Sequence, residues 1–185
     1  MNDEAPPRRG PLVAALLLGA GVAVALGVYG RAQEGSYESL PALGFSTAGT
    51  FKAWATTAIL LLATTQLVTA LWLYGRLPGS PRVPAGLGTV HRATGAVVFV
   101  LSLPVAAFCL YGFGFAPEPF ATRPLVHSLT GCAFYGAFAA KVLLVHSRRI
   151  PGWALPVAGA TLFTAVVLLW LTGSLWFFDV EGVHM

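Results

Sequence analysis

The 185-residue chain is about one domain long, with 56% hydrophobic and only 10% charged residues. Its mean hydropathy of +0.74 lies outside the range of water-soluble globular domains. A bilayer core roughly 30 Å thick needs about 20 apolar residues per helical crossing, so five crossings take about 100 residues and exclude a large extramembrane domain. The net charge of +4 would suggest an anionic partner in a soluble protein. Here the basic residues flank apolar runs, where membrane orientation accounts for them, and no nucleic-acid surface is expected.

The first apolar run extends from Leu12 to Tyr29, after Arg8 and Arg9 and before the polar stretch 31–39. It is just long enough to span as a retained helix. The basic leader and the small residues around Gly30-Arg31-Ala32 also fit a cleavable signal peptide, although the apolar core exceeds the usual length of about 7–15 residues. Pro41, Gly44 and Gly49 mark a loop, and Lys52 opens a second span from Ala53 to Tyr74 with Trp54 and Trp72 near its two ends, the placing of an interfacial aromatic belt. Three prolines between Gly75 and Pro84 predict a rigid basic connection. A third span follows from His91 to Tyr111, with Pro104 expected to kink it. The stretch from Gly112 to Pro124 reads as a loop. A fourth span from Leu125 to His146 ends in the basic turn Ser147-Arg148-Arg149-Ile150-Pro151-Gly152. The fifth, from Ala154 to about Phe178, ends in Trp176-Phe177-Phe178 and an acidic tail.

The predicted fold is an all-α integral membrane bundle of about five helices. Residues 1–50 supply the N-terminal tail, first helix and outer loop, and residues 51–185 supply a four-helix bundle. Seven basic residues (Arg8, Arg9, Arg76, Arg82, Arg92, Arg148, Arg149) fall on one side, against Arg31, Lys52 and Arg123 on the other. By the positive-inside rule the N-terminus is cytoplasmic and the C-terminus outside, in a multi-pass cell-membrane protein.

Ionisable residues inside a bilayer are functional candidates. His91 and His146 fall at the cytoplasmic ends of adjacent antiparallel helices, and His127 begins the fourth helix at its outer end. His127 and His146 stand about 28 Å apart along the helix at 1.5 Å per residue and cannot bind one metal. His146 also lies about 100° around the helix from His127, whereas Lys141 lies within about 40°. Neutral imidazoles on facing helices can hold haem iron while apolar walls shield the porphyrin, so His91, His127 and His146 are the candidate cofactor and metal ligands. Histidines at interfaces also bond water, headgroups or carbonyls with no cofactor. Gly131 on the His127 face leaves room for a macrocycle or a neighbouring helix. On the third helix His91, Gly95, Ser102 and Cys109 share a face. Gln66 in the second helix suits interhelical hydrogen bonding, Lys141 can snorkel to the interface, and His184 falls in a solvated tail. Cys109 and Cys132 lack metal-ligand spacing and read as packed thiols. There is no phosphate loop, HExxH motif or nucleophile elbow, and no acid within a span, which disfavours hydrolysis. No internal repeat of the kind expected for a secondary transporter is evident.

The segments Val90-His91-Arg92-Ala93-Thr94-Gly95 and Leu125 to Gly136, followed by Pro151-Gly152-Trp153-Ala154-Leu155-Pro156, resemble a family of uncharacterised actinobacterial multi-pass membrane proteins over roughly the last 140 residues. The histidine followed four residues later by glycine at two helix starts is also distantly similar to b-type membrane cytochromes and ferric-reductase-like transmembrane domains. That resemblance implies haem b and a role in electron transfer. It departs in the third helix, which carries His91 alone and has Phe108 where an outer partner for His127 is expected. The functional expectation is therefore a small membrane subunit, haem-b-binding and engaged in electron transfer with membrane or redox partners. The alternatives are a cofactor-free accessory subunit of a larger complex and, more weakly, a small-solute transporter.

Overall fold

The computed structural model describes residues 9–36, 41–79, 82–115 and 122–183. Arg8, Glu38, Glu118 and His184 lie outside these, as do parts of the 75–84 and 112–124 connections. Among the described residues the chain is all-helical, with no strand. Helix α1 covers Gly10–Ala32 and α2 Ala48–Leu73. Helix α3 covers Leu87–Ala107 and continues as a π-helical turn over Phe108–Phe113. Helix α4 covers Thr122–His146. Helix α5 covers Ala154–Trp170 and passes through a second π turn, Leu171–Leu175, into α6, Trp176–Glu181.

Local chemistry sets the helix ends. Pro11 stands in the first turn of α1, where its missing N–H is no loss. The Thr47 hydroxyl accepts the Thr50 N–H at 3.1 Å and caps α2. Gly86, at φ 88°, enters α3 in a left-handed conformation that a side chain would disfavour. Pro104 lies within α3. It removes one backbone donor, and the helix widens into the π turn four residues later.

All five continuous helices are long and apolar enough to cross a membrane, with mean hydropathies from 1.5 for α4 to 2.3 for α1. Large apolar side chains point outward, among them Leu16 and Leu17 at 69% exposure and Leu61 at 66%. In water these would be a liability. In lipid they are the solvent-facing surface, and the chain is a multi-pass membrane protein.

The helices close into a ring in the order α1, α4, α5, α2, α3. Antiparallel pairs α1–α4, α2–α3, α4–α5 and α2–α5 carry most of the packing. The α1–α4 seam rests on small residues: a methyl group at Gly19 would stand 2.7 Å from the Gly136 carbonyl oxygen and 3.2 Å from Ala140 Cβ. Without a hydrophobic drive in lipid, such close backbone approach supplies van der Waals contact directly. The ring closes between α3 and α1, where Tyr29 donates its hydroxyl proton to the Tyr111 hydroxyl at 2.9 Å. Phe99 stacks on Phe138 with centroids 4.2 Å apart, spanning α3 and α4 through the interior. One core cluster gathers Ile59, Val98, Phe134 and Val166, and a smaller one gathers Ala15, Leu144 and Ala154.

Candidate functional site

Beyond the Phe99–Phe138 stack, towards the end of the bundle that carries Lys52 and Arg123, the helices part around a cavity of about 630 Å³. This is the size of a pocket for a small molecule or cofactor. Its walls are mostly apolar, and its polar side chains are few: Lys52, Ser102, Cys109, Arg123, His127, Ser128, Tyr135 and Ser174 are among the lining residues.

His127 projects from the second turn of α4 and is held from α5. Its Nδ1 lies 2.9 Å from Thr172 Oγ1, and the Thr172 hydroxyl donates its own proton to the Leu168 carbonyl at 2.6 Å. Thr172 therefore accepts from His127 Nδ1–H, which leaves a lone pair on Nε2. The ring lies close against the backbone of α5, since a methyl group at Gly173 would stand 2.9 Å from its Cε1. Nε2 faces α3, where Cys109 Sγ lies 3.9 Å away. The expectation that Phe108 would stand opposite His127 is corrected. Phe108 is buried and packs on Phe51 at 4.9 Å, and the π turn brings the next residue, Cys109, to the histidine.

Two cations stand at this end. Arg123 donates to the Thr172 carbonyl at 2.8 Å and stacks over the Trp176 ring at 3.7 Å. Lys52 sits over the Phe113 ring at 4.5 Å. Both are cation–π contacts that hold a charge beside apolar walls. The Tyr135 hydroxyl bonds to the carbonyl and hydroxyl of Ser102, at 2.9 and 3.0 Å. Ser174 is 2% exposed, and its Oγ has no hydrogen-bond partner.

His91 is held by a matching device at the other end of the bundle. Its Nδ1 lies 2.8 Å from Thr69 Oγ1 on α2, and Thr69 donates to the Thr65 carbonyl at 2.8 Å, so Nε2 is again the unprotonated nitrogen. The segments Val90-His91-Arg92-Ala93-Thr94-Gly95 and Val126-His127-Ser128-Leu129-Thr130-Gly131 share the pattern Val-His-x-x-Thr-Gly. The two glycines meet different neighbours. Gly95 faces Gln66 of α2, whose Oε1 would stand 3.1 Å from an added methyl group, whereas Gly131 opens on the cavity. Gln66 makes the interhelical bonds its position predicts, donating to the His91 carbonyl at 2.6 Å and to the Thr94 hydroxyl. His146 is exposed at the end of α4, its Nδ1 2.8 Å from the Val142 carbonyl of its own helix. Neither His91 nor His146 lines the cavity. Among the described residues no three His, Cys, Asp or Glu side chains are gathered as for a metal ion.

Lys52, Arg123, Thr172 and Ser174 were not among the residues singled out by sequence. Lys52 and Arg123 read as flanking charges, and their approach to the cavity depends on which helices are neighbours. No curated protein and no solved structure matches the chain. The model of a family of unknown function, DUF6529, matches residues 12–185, and the chain belongs to that family.

Proposed function

We propose that the protein is a small cell-membrane subunit of a redox system that holds haem b in the cavity among its five helices, with His127 as an axial ligand and a partner protein as electron donor or acceptor. The observation that carries this reading is the fixed tautomer of His127, whose Nε2 lone pair faces an apolar, cofactor-sized cavity. Histidines that ligate metals commonly donate the other ring N–H to an oxygen in this way. The remaining residues fit the same group. Apolar walls suit a macrocycle, and Lys52 and Arg123, both lining the cavity, would pair with its two carboxylates and so fix its orientation.

Haem b, when bound, supplies one-electron chemistry. The chain's part is to orient the ligating imidazole through Thr172, exclude water with the Phe134, Leu169 and Val166 walls, and offset anionic charge at the cavity mouth. On the positive-inside orientation that mouth faces outward. His91, held by Thr69 in the same manner, is the second candidate ligand, at the cytoplasmic end. His146, turned onto its own helix, is the third. The competing role, a cofactor-free accessory subunit, would dock through small-residue and threonine faces, and two of the small residues, Gly19 and Gly136, meet each other within the chain.

Purification in mild detergent from haem-sufficient cells should give a Soret band and a positive pyridine haemochrome assay, with His127→Ala losing most of the haem. A wild-type protein without Soret absorption, and unable to take up added haem, ends this proposal.

A further inference from the structure

We infer that Cys109 supplies the second axial donor to the iron, as sulfur on the side opposite His127, an assignment that rests on the haem reading above. Cys109 lies in the π turn of α3 and lines the same cavity as His127. Its Sγ is the cysteine or histidine donor atom found beside His127 Nε2 among the described residues, at 3.9 Å. Metal–imidazole bonds of about 2.0–2.1 Å and metal–thiolate bonds of about 2.3 Å place two opposed donors about 4.3 Å apart. A shift of a few tenths of an ångström in the π turn therefore opens the gap that an iron needs. With no metal between them, the thiol S–H is placed to donate to the Nε2 lone pair, which keeps that lone pair satisfied in an apolar setting.

A second, independent observation points to a ligand in the same cavity. Ser174 Oγ is buried to 2% exposure with no partner in the protein, and such orphaned hydroxyls are rare unless something else satisfies them. Ser174 belongs to the π turn of α5, so both π turns among the described residues border the cavity, one from α3 and one from α5. Wide turns of this kind recur at functional sites. Ligation as thiolate requires Cys109 to release its proton to solvent.

The test uses the full chain in mild detergent, loaded with ferric haem b. The wild type should show the low-spin electron paramagnetic resonance pattern of a thiolate-bound iron and an iron–sulfur stretch in resonance Raman. Cys109→Ser and Cys109→Ala should both lose these features while keeping haem through His127. Wild-type spectra of nitrogen-only ligation overturn the assignment without any variant. So do Cys109→Ala spectra identical to wild type, and both results leave the His127 site standing. A wild type that takes up no haem overturns the proposed function and this inference together.

Discussion

At the scale of single residues, the site depends on a hydroxyl that ligates nothing. Thr172 passes its proton to Leu168 and so can only accept from His127. Thr172→Val keeps the shape and removes the acceptor, so His127 loses the bond that fixes its tautomer and ring angle. Haem titration of the purified protein should show affinity falling by about 10–100-fold, the usual effect of losing such a partner, while Thr172→Ser stays near wild type. Equal affinity for the valine variant would show that Thr172 does not hold the imidazole. Lys52 and Arg123 give a second prediction. Positive charge near a redox centre favours its reduced form, so Lys52→Gln and Arg123→Gln should each lower the midpoint potential, and the double variant should lower it further. Redox titration checks this. A potential that rises or stays put would place these cations away from the bound group.

At the scale of elements, the sequence reading located all five spans to within a few residues at most ends. Apolar runs of this length bounded by Pro, Gly and basic residues leave little choice in lipid. What it missed follows from the π turns. The third span runs on to Phe113 and the fifth to Glu181, and a turn holding one extra residue changes which side chains share a face. Thr69-Ala70-Leu71-Trp72 and Thr172-Gly173-Ser174-Leu175-Trp176 have the same order of Thr, Leu and Trp, and the additional residue of the second falls within its π turn, Leu171–Leu175. The face shared by His91, Ser102 and Cys109 was legible from the 3.6-residue period. Its division was not: His91 is taken up by α2, Ser102 by Tyr135 and Cys109 by His127. His127 enters the cavity, whereas His146, about 28 Å further along the helix, lies beyond it. The α1–α4 seam carries its own prediction. Gly136→Val forces side-chain atoms onto the α1 backbone at Gly19, and overpacking of this kind costs about 1–3 kcal/mol. Thermal unfolding in detergent should show a lower midpoint for this variant, and none for Gly159→Ala, where an added methyl group meets nothing within 4 Å. An unchanged midpoint for Gly136→Val would mean that the seam is not close-packed.

At the scale of the whole molecule, neighbour relations carry the information that a linear reading lacks. The ring order α1, α4, α5, α2, α3 brings Lys52 from α2 and Arg123 from α4 to one cavity end, although the two charges lie far apart in sequence and each flanks its own span. The orientation expected from the sequence rests on a summed imbalance of basic residues rather than on any contact. The positive-inside assignment predicts that a cysteine placed at Ser147 is labelled by a membrane-impermeant thiol reagent only after the cells are opened. A cysteine at Asp179 is labelled in intact cells, both in a Cys109→Ala, Cys132→Ala background. The reverse pattern would invert the topology and turn the cavity mouth to the cytoplasm.

The α1–α4 contact also bears on how the chain is made. Gly19 leaves the ribosome long before Gly136, and at about 5–20 residues per second its partner follows roughly ten seconds later. During that interval α1 must persist in lipid as a solitary helix, and its mean hydropathy of 2.3, the highest of the five, suits it to wait. Helix α4, at 1.5 and carrying Arg123, His127 and Lys141, is the span least able to stand alone. The early helix is thus a standing dock for the late one, and insertion of α4 should falter when α1 is deleted or its small-residue face is filled.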